Sequence, residues 1–210
     1  MAHFDISNCK FIKTVDNPTQ YYLDMIKKYV GKAFPNISQE ATKIACDDLI
    51  NKLREKGKSI NDASALPMIA YFAFDQVWYQ ACEKTTRTPN RPFALERDID
   101  DTLVRTDTKS FYVQIDEYAK GAIYDASGLF TKPNEIGKYA VIDLDAISNL
   151  ITSSIDNFYN RAERVNPELL KTPYPIKELH NSVRDALVTF KSELRHVISN
   201  VKTDKQTWTF

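Results

Sequence analysis

The chain has 210 residues, with 28 Lys and Arg balanced by 28 Asp and Glu for a formal net charge of zero. A chain of this length hides enough surface to form a core without disulfide or metal staples, and its neutrality removes the strongly basic footprint of a dedicated nucleic-acid binder. Only 5 glycines occur, too few to favour a glycine-rich phosphate loop or a strand-and-turn barrel, so a mainly α fold is predicted.

The first helix is expected from Pro18. Asn17 stands as its N-cap and proline at the first helical position, where a missing N–H costs nothing. Tyr22, Met25, Ile26, Tyr29 and Val30 recur at helical spacing, and Gly31 reads as the stop. A second helix is expected over 38–56, with Ala41, Ile44, Ala45, Leu49 and Leu53 on one core-facing stripe and Gly57 beyond its end. The third, over 65–84, is apolar on nearly every face. Tyr71, Phe72, Phe74, Trp78 and Tyr79 project in several directions, which requires neighbours all round. Its Asp75, Gln76 and Gln80 argue against a membrane span, because a carboxylate at mid-bilayer costs several kcal/mol; they read as packing groups rather than a site. This helix is the expected centre of a bundle of about six.

Residues 85–92 read as a loop. A short helix is expected over 93–105, where Leu95, Ile99 and Leu103 recur every four residues and the acids of ERDIDD face solvent among arginines. The range 108–144 is the least helical. Strands are expected over 110–115 and 138–142, with helical spacing from Ile115 to Ala126 between them and a turn in TKPNEIG. Asp143 or Asp145 should cap a helix running to about Arg164. The TPYP hinge at 172–175 should precede the longest helix, 176–201. There Leu187, Phe190, Leu194, Val197 and Val201 step by 3 and 4 as in a coiled-coil seam. The tail QTWTF alternates like a strand and exposes aromatics that want a docking place.

The whole reads as one mainly helical domain over 1–210, with a protruding β or loop insertion at 106–144 and a long C-terminal helix. Cys9, Cys46 and Cys82 lack CxxC spacing and read as buried free thiols. The N-terminal MAHFDISNCKFIK carries charges where a signal peptide needs an apolar run, which predicts a cytoplasmic protein. His3, His180 and His196 are spaced too widely for a zinc-binding helix face, and Glu193 with His196 forms only one half of a di-iron pattern. No nucleophile, Walker or dinucleotide motif is present. The sequence therefore predicts no catalytic, metal or cofactor residue and no enzyme.

Arg87, Asn90 and Arg91 occupy a proline-bounded loop as planar donors suited to phosphate or a partner carboxylate. Leu187, Phe190, Leu194, Val197, Trp208 and Phe210 are the expected assembly contacts. Together these features predict a non-enzymatic structural protein that forms a homo-oligomer or joins other subunits in a larger assembly. A virus or phage particle component, assembled in a host cytoplasm, is the specific expectation. A helical nucleocapsid-like protein, using basic clusters at Lys10 and Lys13, Lys27 and Lys28, and Lys52 to Lys58, is the alternative. An enzyme with dispersed catalytic residues is the third; a membrane partner is not expected.

Overall fold

The computed structural model describes residues 4–6, 9–86, 119–168, 174–204 and 208–209. Helix α1 (Pro18–Ala33) opens as its sequence dictates, with the Asn17 side chain accepting from the Gln20 N–H at 3.0 Å. It runs through Gly31 to Ala33. The Phe34 N–H then donates to the Val30 carbonyl at 2.9 Å, which closes the last turn. A 3-10 turn (Pro35–Ile37) leads into α2 (Ser38–Glu55), and Gly57, at φ +65°, takes the left-handed conformation that ends it. A second 3-10 turn (Ala63–Ala65) delivers the chain to α3 (Leu66–Thr86), with Pro67 in the first turn, where it is tolerated. Helix α4 is described over residues 119–129 and passes through Gly128.

The turn after α4 is organised by Asn134. Its side-chain oxygen accepts from the Ile136 and Lys138 N–H groups at 3.1 and 2.8 Å, while Gly137 supplies φ +79°. Strand β3 (Tyr139–Ile142) follows. Asp143 then caps α5 (Leu144–Val165) by accepting from the Ala146 N–H at 3.1 Å. Helix α6 (Tyr174–Asp204) has 31 residues, about 46 Å at 1.5 Å rise.

The described residues are mainly helical, six helices with a small antiparallel β element, as the periodicity predicts. The sequence names no partner for β3. That partner is β2 (Ile12–Val15), near the start of the chain, with Ile12 opposite Ile142 and Val15 opposite Tyr139. The expected strand 110–115 and helix 93–105 lie outside the described residues. A second pair joins the two ends of the chain: β1 (Phe4–Asp5) runs parallel to β4 (Trp208–Thr209). Such short pairs are unstable alone and depend on the helices beneath them.

Two tyrosines of α1 lock the β2–β3 pair to the bundle. The Tyr21 hydroxyl donates to the Ile142 carbonyl at 2.9 Å and accepts from the Leu144 N–H at 3.0 Å, and the Tyr22 hydroxyl accepts from the Ile142 N–H at 3.0 Å. Burial pushes the Tyr22 hydroxyl up to about 12, so it stays a neutral hydrogen-bonding group. Around this lock a single core forms. Tyr22, Ile26 and Tyr29 of α1 join Ile69, Ala73, Phe74 and Val77 of α3 and Ile147, Ile151, Ile155 and Tyr159 of α5. The described part of the expected protrusion belongs to the same core: Ala119, Ala122, Ile123 and Ala126 are buried, as are Ala140, Val141 and Ile142.

Candidate functional site

At about 100° per residue, Met68, Tyr71, Asp75 and Tyr79 fall along one line of α3. They are half-buried, whereas Ile69, Ala73, Phe74, Val77 and Trp78 on the other faces are buried. The helix expected to be surrounded on every side thus keeps one partly open face. On one flank Phe34 stacks on Tyr79 with centroids 5.7 Å apart, and the Lys52 ammonium of α2 lies 5.1 Å from the Phe72 centroid. On the other flank Tyr124 of α4 meets Tyr71 at 5.5 Å, and the Lys120 ammonium sits 5.1 Å from that ring. Aromatic rings thus line this face of α3, with Phe34 and α2 to one side and α4 to the other.

Asp75 lies on the same face, between Tyr71 and Tyr79. Burial raises its carboxyl above the usual carboxylate range; the charge of Lys52 opposes the rise and that of Asp48 adds to it. Lys52 and Asp48 already bridge each other at 3.0 Å, one helical turn apart. The arrangement supplies a carboxyl that holds its proton more readily than usual, beside rings that favour apolar or cationic contact.

The adjoining face of α2 is the more exposed. Of the five-residue stripe expected to face the core, Leu49 and Leu53 are each 1% exposed, Ala41 and Ala45 are half-buried, and Ile44 is 61% exposed. Ile44 stands five residues from Leu49, about 140° around the helix, so the stripe is wider than the arc that the rest of the chain covers. Ile37, one heptad earlier, is 53% exposed. Ile37, the N-cap of α2, Ala41 and Ile44 therefore lie along one outward line that continues onto the exposed Asp48, with Lys43 and Asp47, both exposed, to one side. Sequence reasoning missed Ile37, Lys43 and Asp47; the spacing i, i+4, i+7 from Ile37 was the available signal.

A second polar cluster ties α1 to α5. Lys28 donates to Asp145 at 2.7 Å, and the Tyr29 hydroxyl donates to the same carboxylate. Burial alone would raise Asp145, but these two hydrogen bonds and the charges of Lys28 and Lys13 outweigh it and hold the carboxyl below its usual range. Burial raises the Tyr29 hydroxyl, reinforced by Asp145. Both effects fit a structural clamp.

The residues singled out from sequence are scattered. Leu187, Phe190 and Leu194 are 0% exposed and Val197 2%, inside the chain's own core, where Phe190 meets Phe11 edge-on at 5.2 Å. Trp208 belongs to β4, opposite Phe4. Arg87, Asn90, Arg91 and Phe210 lie outside the described residues. The thiols of Cys9 and Cys46 are free and half-buried rather than buried, and burial raises both. Glu193 pairs with Lys10 at 3.6 Å, and His196 contacts Asn200 at 3.1 Å, so the two do not combine. Among the described residues no group of three or more His, Cys, Asp or Glu could hold a metal ion, and no helix is long and apolar enough to cross a membrane. No protein-family model, curated protein or solved structure matches this chain.

Proposed function

We propose that this protein is a non-enzymatic structural subunit that acts by associating with copies of itself within a larger assembly. The observation that carries the reading is the pair of exposed isoleucines at the start of α2, its N-cap Ile37 and Ile44, both more than half exposed. Exposed apolar side chains grouped at one end of a helix offer a surface that a partner can cover. A subunit of a virus or phage particle, of capsid, connector or tail type, is the narrower form of this proposal. Among the basic clusters of the nucleic-acid alternative, Lys10, Lys28 and Lys52 are already engaged with Glu193, Asp145 and Asp48, so that reading gains no support.

Light scattering coupled to size exclusion, over a wide concentration range, tests the proposal. Mass should rise above that of one chain with concentration, and electron microscopy of the concentrated protein should show closed or extended particles. A protein that stays monomeric throughout overturns the proposal.

A further inference from the structure

The half-buried face of α3 carries three polar side chains that the chain itself leaves unused. Asp75, Gln76 and Gln80 are half-buried, and among the described residues none of them takes a hydrogen bond or an ion pair. A polar group withdrawn from water costs free energy until something bonds it, and an ionised carboxylate costs the most. We infer that this face holds the guanidinium of an arginine side chain presented by another protein chain, with Asp75 accepting from its N–H groups and the rings of Tyr71 and Tyr79 beside it. The contact is separate from the isoleucines of α2 and does not depend on them.

Charge and shape select that occupant. Lys52 is the nearby cation that could neutralise Asp75, but its ammonium is held by Asp48 at 3.0 Å and lies over Phe72. Lys120 is exposed and lies over Tyr71. Both lysines show that the rings on this face accept cations, and neither comes within ion-pair distance of the Asp75 carboxyl. A guanidinium suits that carboxyl better than an ammonium does. Its planar fork matches a carboxylate bidentately, it stacks on aromatic rings, and being weakly hydrated it gives up less water on entering a half-buried site. The side-chain oxygens of Gln76, next to Asp75, and of Gln80, a turn further on, are acceptors for the N–H groups that the carboxylate leaves. The face is open rather than enclosed, since Tyr71, Asp75 and Tyr79 are each half-buried. It therefore fits a side chain held out by a partner rather than a free small molecule, which binds where walls cover most of its surface.

The test uses the full chain, isotope-labelled, and follows the NMR signals of the Asp75 carboxyl and of Tyr71 and Tyr79 while Nα-acetylarginine amide is added. Saturable shifts centred on these residues are expected. The same blocked form of citrulline keeps the shape without the charge and should leave the signals in place; that of lysine should bind more weakly than arginine. Asp75→Asn keeps the volume and removes the charge, so it should retain the helix content of the parent and weaken arginine binding at least about tenfold, the loss of one charge-assisted contact. A blocked five-residue peptide with arginine between leucines should bind more tightly than the single residue, because its neighbours then cover the rings. The inference is overturned by arginine that gives no saturable shift, by an Asp75→Asn variant that binds it as well as the parent does, or by lysine that binds equally tightly. A peptide that binds no better than the single blocked arginine overturns the assignment to a side chain presented by a partner.

Discussion

Asp75 and Asp145 show how one residue type acquires opposite pH behaviour from its surroundings. Asp75 is desolvated on the half-buried face of α3, so its folded-state carboxyl sits above the ordinary value of 3.8. As pH rises from 3.8 through that raised value, the unfolded chain loses its proton before the folded one, and stability falls. Asp145, held down by Lys28 and Tyr29, contributes stability above the ordinary carboxylate value and loses it as pH falls through its lowered one. The expected outcome for Asp75→Asn is a higher melting temperature than the parent at neutral pH, with the difference shrinking toward pH 4; calorimetry across pH checks it. An unchanged or lower melting temperature at neutral pH would show that the carboxylate is already compensated. The polar interruption at Asp75 was legible in the sequence. Its consequence was not, because desolvation depends on how far α2 and α4 close over α3.

Among the elements, α6 departs furthest from the role its seam suggested. Spacing by 3 and 4 correctly marks Leu187, Phe190, Leu194 and Val197 as one buried face, yet the same pattern serves a partner within the chain as well as one outside it. Here α5 and the N-terminal residues around Phe11 fill it. Leu194→Ala should therefore destabilise the monomer by about 2–5 kcal/mol, the range for truncating a fully buried leucine. Val188→Ala, at a position 42% exposed, should stay within about 0.5 kcal/mol. Urea unfolding of both variants measures the contrast, and a mild Leu194→Ala would place the seam at a surface. Helix α2 illustrates the converse case. Its stripe looked like an ordinary core face, but only Leu49 and Leu53 find the core, because α1 and α3 cover a narrower arc than the apolar residues span. The boundaries were more legible than the contacts: Asn17, Pro18, Gly57, Pro67 and Asp143 each act locally, through a cap, a fixed φ or a left-handed turn, and each stands where local chemistry places it.

For the whole molecule, the two strand pairs join parts of the chain that are far apart in sequence, and this connects the aromatic tail to the fold. Trp208 and Thr209 run beside Phe4 and Asp5, so the tail has a place on its own chain. Deleting residues 206–210 removes a two-residue pair, and a hydrogen bond contributes about 1 kcal/mol net. For a domain of this size each kcal/mol shifts melting by about 2–4 °C. A small drop in melting temperature with self-association intact is expected, read by a thermal melt and light scattering on the same sample. Loss of association on deletion would move the assembly surface from α2 to the tail. The sequence by itself determined the helical class, most helix starts and stops, and which faces are apolar, because capping, proline and glycine geometry and 3.6-residue periodicity operate within a few residues. Tertiary structure alone decided that β3 pairs with Ile12–Val15, that the α6 seam closes inside the monomer, and that Ile37 and Ile44 remain outside. Those outcomes depend on which surfaces long-range packing brings together, and an apolar face carries no mark of the neighbour that will cover it.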